Sequence, residues 1–332
     1  MKEKGIASAK VWLFLLENAI WILIVIFYAI FAAIVPKGML SPSMVLFIIY
    51  SCFPIGFIVI GQAICLITGN FDLSIGEIAG LTAMVGAVVA VQHILPDPLT
   101  ILVPIAVGTL CGILNAILIT WLGLHPFLVT LGTGFAFDGL TLIVYPSVIF
   151  KGFPEIYLAI GGDYAVAFSV FFITLLILGI LFLRFRIGLR FYAVGSDPMA
   201  TSMTGINVKK VIFLAYTLSG FFGGLSGLFY AGFLKSVSPL TADGTVFISF
   251  AAAVLGGISI SGGRGNVVNI LGGILCLSIF DYGLTMIKVS PYVRRVFYGV
   301  LVVVALIVDK ARAKIRDRYM KSLREMYGVE EF

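Results

Sequence analysis

The sequence predicts an all-α membrane protein with about ten transmembrane helices, both termini in the cytoplasm, and an inverted internal repeat. Three features carry this prediction: the composition, the apolar runs, and the positions of the basic residues. Of 332 residues, 61% are hydrophobic and 11% are charged, with a mean hydropathy of +1.14. Soluble domains carry about 25% charged residues, so this composition excludes a water-soluble fold.

A helix needs about 20 apolar residues to cross the hydrocarbon core. Ten runs approach or exceed this length, although the fifth and eighth are short and interrupted. They are residues 11–35, 43–68, 74–92, 99–121, 127–144, 164–183, 211–232, 246–261, 267–286 and 292–308. The run that follows the basic residues 1–10 is too long for a removable signal peptide, so we expect it to remain as the first span.

The basic residues orient these spans. An even number of spans places both termini on one side, and a cytoplasmic assignment puts sixteen of the 22 Lys and Arg residues inside. This asymmetry agrees with the positive-inside rule and explains the net charge of +6 without nucleic acid. Residues 1–332 form one polytopic domain in this prediction. Its basic cytoplasmic tail, residues 309–332, is expected to lie on anionic headgroups as a surface helix.

Two stretches, residues 108–127 and 273–292, share small and polar residues at the same spacing. The matching residues are Gly108, Cys111, Thr120 and Pro126 in the first and Gly273, Cys276, Thr285 and Pro291 in the second. In the predicted topology the two copies run in opposite directions, as in the inverted repeats of transporters. Chance matching within apolar sequence is an equally good explanation at this point.

Residues 184–210 form a polar segment between two apolar runs. The segment carries five basic residues and one acid, which keeps it in the cytoplasm. Ser196 or Asp197 can cap a short helix, Pro198 suits its first turn, and Gly205 can end it. A short capped helix on the cytoplasmic face is expected to contact another protein.

A second polar stretch, residues 68–77, interrupts the apolar pattern with Asn70, Asp72, Ser74 and Glu77. An acid at the bilayer centre costs about 2.5–3.5 kcal/mol, so these side chains do not face lipid. One interpretation is a tight cytoplasmic turn in which Asp72 or Ser74 caps the next helix. The other is a broken helix that lines an aqueous cavity.

A third interruption supplies Thr130, Thr133 and Asp138 as further candidates for a hydrophilic path. Threonines in membrane helices also bond frequently to backbone carbonyls of their own helix, which is the alternative for this pair.

The sequence offers no set of residues for nucleotide binding, metal binding or catalysis. The glycine-rich run 256–265 continues as Arg-Gly-Asn rather than as the Gly-Lys-Ser/Thr of a phosphate loop. The sequence offers no cluster with metal-ligand spacing and no combination of nucleophile and base. We therefore expect no enzyme activity, no metal and no cofactor bound by this chain. The four cysteines lie in apolar runs and are expected to be buried and unpaired.

Two hypotheses follow from the residues. The first is a transport permease energised by a separate ATPase that docks on residues 184–210. The second is an ion-gradient-driven secondary transporter of a small polar solute, whose ion site would use Asp72, Glu77, Asp138 or Asp281. The capped cytoplasmic helix favours the first, because a gradient-driven carrier needs no docking element.

Four motifs in order carry a family resemblance. They are G-N-F-D-L-S-I-G-E at 69–77, P-F-L-V-T-L-G-T at 126–133 with D-G-L at 138–140, A-V-G-S-D-P-M-A-T-S-M-T-G-I-N-V at 193–208, and A-A-V-L-G-G-I-S-I-S-G-G-R-G-N at 252–266. Between about residues 43 and 309 the chain resembles the permease subunits of ribose-type ABC importers. The resemblance implies a multi-pass protein of the bacterial inner membrane.

The resemblance also implies partners and roles. The partners are cytoplasmic ABC ATPase subunits that use ATP, a second copy or paralogue of the permease, and an extracytoplasmic sugar-binding protein. The coupling helix that enters a cleft on the ATPase would comprise Gly195, Ser196, Asp197, Pro198, Ala200, Gly205, Ile206 and Asn207. Glu77 and the pair Arg294 and Arg295 depart from the family pattern. They mark either an anionic or unusual substrate or local salt bridges.

Overall fold

The computed structural model describes residues 18–144 and 149–327, with side chains as far as residue 321. These residues form sixteen helices. Helices α1 to α8 are Ala19–Ile34, Pro36–Met39, Pro42–Ser51, Phe53–Ile67, Ile75–Val91, Asp97–Thr100, Leu102–Thr120 and Pro126–Val144. Helices α9 to α16 are Glu155–Gly162, Tyr164–Arg184, Arg186–Ser196, Pro198–Met203, Val208–Leu234, Thr245–Leu255, Val267–Met286 and Pro291–Tyr327.

The prediction of an all-helical membrane protein is confirmed, but fewer than ten helices of the described part are long enough to span a bilayer. Within the described residues six helical segments are long and apolar enough to cross a bilayer, and the α3–α4 pair, bent by 43°, makes a seventh. The other three predicted runs, 11–35, 74–92 and 246–261, contain the shorter apolar helices α1, α5 and α14. Residues 1–17, with three predicted cytoplasmic lysines and the start of the first run, lie outside the described part.

Length explains why α14 does not count as a span. Its 11 residues extend for about 16 Å, roughly half of the hydrocarbon thickness. The first residues of α5 and α14 meet, since a Cβ atom on Gly76 would lie 2.9 Å from Thr245 Oγ1 and 3.0 Å from the Val246 nitrogen. Both helices therefore begin at a common point.

That common point lies inside the bundle. Asp72, just before α5, bonds to Ser219 of α13. Ser219 is eleven residues into α13, about 16 Å along its axis from Val208. Neither α5 nor α14 therefore starts at the surface that holds the beginning of α13.

Helix α13 is the central element, and its small residues set the packing. Gly220 and Gly224 face α7, where a Cβ atom on Gly220 would clash with the carbonyl oxygen of Gly108. Gly223 faces the side chain of Ile78 in α5. Small residues allow helix backbones to approach this closely. These glycines of α13 therefore pack within the molecule, against two neighbouring helices, α7 and α5.

The last helix differs from its prediction. A separate surface helix was expected from residue 309, whereas α16 runs without a break for 37 residues from Pro291 to Tyr327. Its charged part therefore continues the preceding apolar part. Residues 328–332 of the predicted tail lie outside the described part. All four cysteines are buried and free, as expected.

The α7–α13 contact yields a first testable prediction. Gly220→Ala forces a methyl group into the backbone of α7, so we expect the free energy of unfolding to fall by about 1–3 kcal/mol or more. Gly139→Ala in α8 is the matched control because its new Cβ meets no atom within 4 Å. Alanine also favours the helix there by about 1 kcal/mol. Thermal unfolding in detergent measures both, and equal melting temperatures would contradict the packing argument.

Candidate functional site

The segment between α4 and α5 is organised around the buried carboxylate of Asp72. Its Oδ1 accepts hydrogen bonds from the Ser74 nitrogen at 2.9 Å and from the Ser74 hydroxyl at 2.6 Å. Its Oδ2 accepts from the Ser219 hydroxyl of α13 at 2.6 Å. Asp72 therefore fixes the turn that leads into α5 through Ser74, the N-cap residue, whose own side chain makes no capping bond. It lies in the interior, however, rather than in a solvated turn.

The hydrogen-bond chain continues from Ser74 to two further helices. Asn115 of α7 donates through Nδ2 to the Ser74 hydroxyl at 2.8 Å, and Thr133 of α8 donates to Asn115 Oδ1 at 2.7 Å. Three predicted candidates, Asp72, Ser74 and Thr133, are thus brought together. Asn115 and Ser219 were missed, although a buried asparagine within the apolar run 99–121 was a usable signal.

Two predicted path residues make only local bonds. Asn70 donates to the carbonyl and hydroxyl oxygens of Thr68, both at 3.0 Å. Thr130 donates to the Pro126 carbonyl at 3.0 Å, which is the backbone bonding that membrane threonines commonly make. Neither residue joins the chain at Asp72.

Glu77 and Asp138 line a cavity of about 270 Å³ together with Asp243, close to the starts of α5 and α14. Gly134 of α8 and Val246 of α14 also contribute to its wall. Two of the predicted residues therefore meet at one cavity, and Asp243 is the acid that sequence reasoning did not include.

A second, larger cavity of about 590 Å³ was not predicted. Its wall combines aromatic rings with hydroxyl groups and one acid. These residues include Phe47, Tyr230, Phe233, Thr245, Ser278, Asp281, Tyr282 and Tyr298. Thr245 at the start of α14 lines this cavity and its neighbour Val246 lines the smaller one, so α14 separates the two.

The unusual arginine pair forms local ion pairs. Arg294 binds Asp281 at 3.0 Å and Arg295 binds Asp243 at 2.6 Å. Each acid lines one of the two cavities. The interpretation as local salt bridges therefore holds for the arginines. It does not extend to Glu77, which takes part in no ion pair among the described residues.

The polar segment 184–210 holds two helices where the sequence predicted one. The additional helix, α11, is amphipathic and buries Phe191 and Val194 while Arg186 and Arg190 remain exposed. Its Tyr192 hydroxyl donates to the Gly265 carbonyl at 2.9 Å, and burial raises the pKa of Tyr192. The missed signal was apolar residues at helical spacing between the arginines.

The second helix, α12, is the predicted short capped helix. Asp197 rather than Ser196 is its cap, since its Oδ1 accepts from the Ala200 nitrogen at 2.9 Å. Pro198 begins the helix, and Gly205 follows its end with a φ of +83°. Asn207 then caps α13 by accepting from the Lys210 nitrogen at 3.0 Å. The start and stop signals of the sequence are thus placed as predicted, with the helix ending at Met203.

The turn between α11 and α12 meets two other chain segments through glycines. A Cβ atom on Gly262 would lie 2.7 Å from the Gly195 carbonyl and 2.7 Å from the Gly69 Cα. The Gly263 nitrogen donates to the Ile67 carbonyl at 2.8 Å. The glycine-rich run at 256–265 is therefore a packing element between the end of α4 and the α11–α12 turn.

The family comparison agrees with this arrangement. The profile of the family described as branched-chain amino acid transport system / permease component matches residues 44–306. The chain belongs to this family of transport permeases. It is accordingly a multi-pass membrane transport subunit rather than an enzyme.

Curated relatives of the permease cover most of its length. It is 30% identical to the D-allose transport system permease protein AlsC of Escherichia coli over 88% of this chain and 91% of that protein. It is 30% identical to the ribose import permease protein RbsC of Bacillus subtilis over 86% and 90%. The galactose/methyl galactoside import permease protein MglC of E. coli is 29% identical over 77% and 82%. No solved structure matches this chain.

The Asp72 contacts predict that this residue serves folding more than turnover. Asp72→Asn removes one of the two acceptor oxygens, which leaves a buried donor without its partner at a cost of about 1–3 kcal/mol. We expect a lower yield of folded permease and a lower melting temperature. Asp317→Asn is the control, because Asp317 is exposed and lies outside both cavities. A stable Asp72→Asn protein that no longer transports would contradict this structural role.

Proposed function

We propose that this permease forms the membrane path of an ATP-binding-cassette importer for a simple sugar or sugar-like solute. The observation that carries the proposal is the capped helix α12, exposed between two spans of a chain in this permease family. The relatives named for allose, ribose and galactose support the substrate class. An ion-gradient-driven carrier would leave α12 without a function.

In this proposal α12 is the coupling helix and its apolar side chains contact the ATPase. Two methionines of this six-residue helix lie at the surface: Met199 is 70% exposed and Met203 is 77% exposed. Exposed methionines suit a protein contact because their flexible side chains adapt to a partner's cleft. The partner ATPase supplies ATP hydrolysis, so this chain needs no nucleotide site.

The solute path is proposed to use the two cavities at the start of α14. Aromatic faces with a few hydroxyl groups, as in the larger cavity, suit the mixed apolar and polar surface of a sugar ring. Glu77 and Asp138 line the smaller cavity. The chain Asp72–Ser74–Asn115–Thr133 lies beside it and holds the surrounding helices in place.

The remaining partners and the topology follow from the same proposal. An extracytoplasmic sugar-binding protein delivers the solute, and a second permease, identical or paralogous, completes the path. Both termini and residues 184–210 are cytoplasmic, so the glycine contacts at Gly69, Gly195 and Gly262 lie at the cytoplasmic end.

We propose that an inverted repeat relates two pairs of membrane helices in this chain. Its two copies coincide with α7–α8 and α15–α16, and Pro126 and Pro291 each begin the second helix. Gly108 and Gly273 also have equivalent surroundings. Each faces the backbone of a neighbouring helix, α13 for Gly108 and α14 for Gly273.

The coupling role predicts the effect of a charge reversal at a cap. Asp197→Arg should leave the permease in the membrane but abolish docking, because it removes the cap of α12 and places a cation at a helix N-terminus. Asp163→Arg is the matched control, since exposed Asp163 caps α10 by accepting from the Val166 nitrogen at 3.0 Å. Each change costs about 1 kcal/mol of helix stability.

The measurement is co-purification in mild detergent with mass spectrometry of the bound subunits. We expect an ATPase with wild type and with Asp163→Arg but not with Asp197→Arg. Full retention by Asp197→Arg would overturn the coupling role. Isolation of this chain alone from wild-type membranes in several detergents would favour the gradient-driven carrier.

The path proposal predicts a defect at Glu77 that is separate from stability. Because Glu77 lines a cavity and has no ion pair among the described residues, Glu77→Ala should leave the melting temperature within about 2–4 °C of wild type. Solute uptake should fall severalfold. Glu155→Ala, an exposed acid at the start of α9, is the control. Unchanged uptake by Glu77→Ala would remove this residue from the path.

A further inference from the structure

A basic cavity of about 300 Å³ lies between the glycine-rich run and α16. Three arginines line it against one acid: Arg264, Arg312 and Arg316 against Asp309. Ser259, Asn266 and Asn269 add polar groups. A cavity with this excess of guanidinium groups favours an anion, and guanidinium binds phosphate oxygens especially well.

Contacts with the end of α14 hold one of these arginines, Arg312, in place. Arg312 donates to the carbonyl of Val254 at 3.2 Å and to that of Leu255 at 3.3 Å, at the end of α14. Asp309 of α16 lines the same cavity as Ser259 and Gly265 of the glycine-rich run. Arg316 lies one helical turn beyond Arg312 on the same side of α16. Tertiary contacts therefore position Arg312, and the other two arginines lie beside it in the wall of the same cavity.

An apolar groove of about 760 Å³ adjoins this basic cavity, and the two share Gly265 and Asn266 in their walls. Most other residues of the groove are aliphatic or aromatic. They include Phe172, Leu175, Leu176, Ile180, Leu183 and Leu271. A phosphate-binding cavity beside an apolar groove has the two halves that a phospholipid requires, a place for its headgroup and a place for an acyl chain.

The depth in the membrane agrees with this occupant. Asp309 to Arg316 follow the apolar part of α16 directly, where a helix leaves the hydrocarbon core for the headgroup layer. Basic pockets between membrane helices at this level bind anionic headgroups. A soluble anion would use the cavity but would leave the groove without an occupant.

We propose that the cavity at Arg264, Arg312 and Arg316 binds the phosphate of an anionic phospholipid whose acyl chain lies in the adjoining groove. The bound lipid would join α16, the glycine-rich run and α11, because Tyr192 of α11 bonds to the Gly265 carbonyl at 2.9 Å. This site is distinct from the two cavities proposed for the solute. It stands independently of the transported substrate.

The test uses the full-length permease exchanged into nanodiscs that contain equal phosphatidylglycerol and phosphatidylcholine. Native mass spectrometry then measures the lipid that each protein retains. The variant Arg264→Gln/Arg316→Gln removes two cavity charges but spares Arg312, which has backbone partners. The control Lys314→Gln/Lys321→Gln removes the same charge from a different surface of α16. Equal melting temperatures in phosphatidylcholine alone establish that both variants are folded.

We expect wild type and the lysine control to retain phosphatidylglycerol selectively. The arginine variant should bind phosphatidylglycerol about tenfold more weakly. Each basic residue near the headgroups contributes about 1 kcal/mol, which is a severalfold change in affinity. Equal retention by both variants, or equal retention of the two lipids by wild type, would overturn the proposal. If millimolar inorganic phosphate stabilises the permease as much as phosphatidylglycerol does, the cavity is a site for phosphate ions and not for a lipid. Loss of ATPase binding with unchanged lipid would show a protein-docking site instead.

Discussion

The buried carboxylate of Asp72 makes possible a non-helical turn of chain inside the bundle. Backbone groups at membrane depth need partners within the protein, so a helix can be interrupted there only where such partners exist. Asp72 accepts from Ser74, and the Tyr216 hydroxyl donates to the Phe71 carbonyl at 2.7 Å. Gly69, with a φ of +76°, ends α4, and the bonds at Phe71 and Asp72 hold the following turn beside α13, where α5 begins.

The short non-helical segment also connects the two proposed functional ends. Gly69 lies against the α11–α12 turn and Ser74 bonds to Asn115, while Glu77 lines the smaller cavity. Only eight residues separate Gly69 from Glu77. Where two backbones touch without a side chain between them, a displacement of one moves the other, since packed interiors resist compression. A shift of α12 would therefore reach the start of α5 directly.

Much of this arrangement could be predicted from local chemistry. The cap at Asp197, the stop at Gly205 and the polar break at 68–77 each depend on residues close in sequence. What escaped prediction depends on packing between distant segments. Ser219 and Asn115 resemble ordinary polar residues within apolar runs until α13 and α7 bring them to Asp72 and Ser74. Likewise, α14 is shorter than its apolar run, because positive φ angles at Gly257, Gly262 and Gly263 redirect the chain from 256 onward.

The two ends of the bundle are closed by interactions of different strength. At the end with α12, glycine backbones are in direct contact and no side chain can rotate away. At the other, Arg294 and Arg295 close onto Asp281 and Asp243. The Arg295–Asp243 pair is 65% and 42% exposed, and exposed ion pairs contribute only about 0–1 kcal/mol. The exposed Arg295–Asp243 pair therefore breaks at little cost, whereas the glycine contacts contain no side chain that could rotate away. In an importer, this asymmetry would let the end nearest the binding protein open locally, while motion at the ATPase end reaches the path as a rigid displacement.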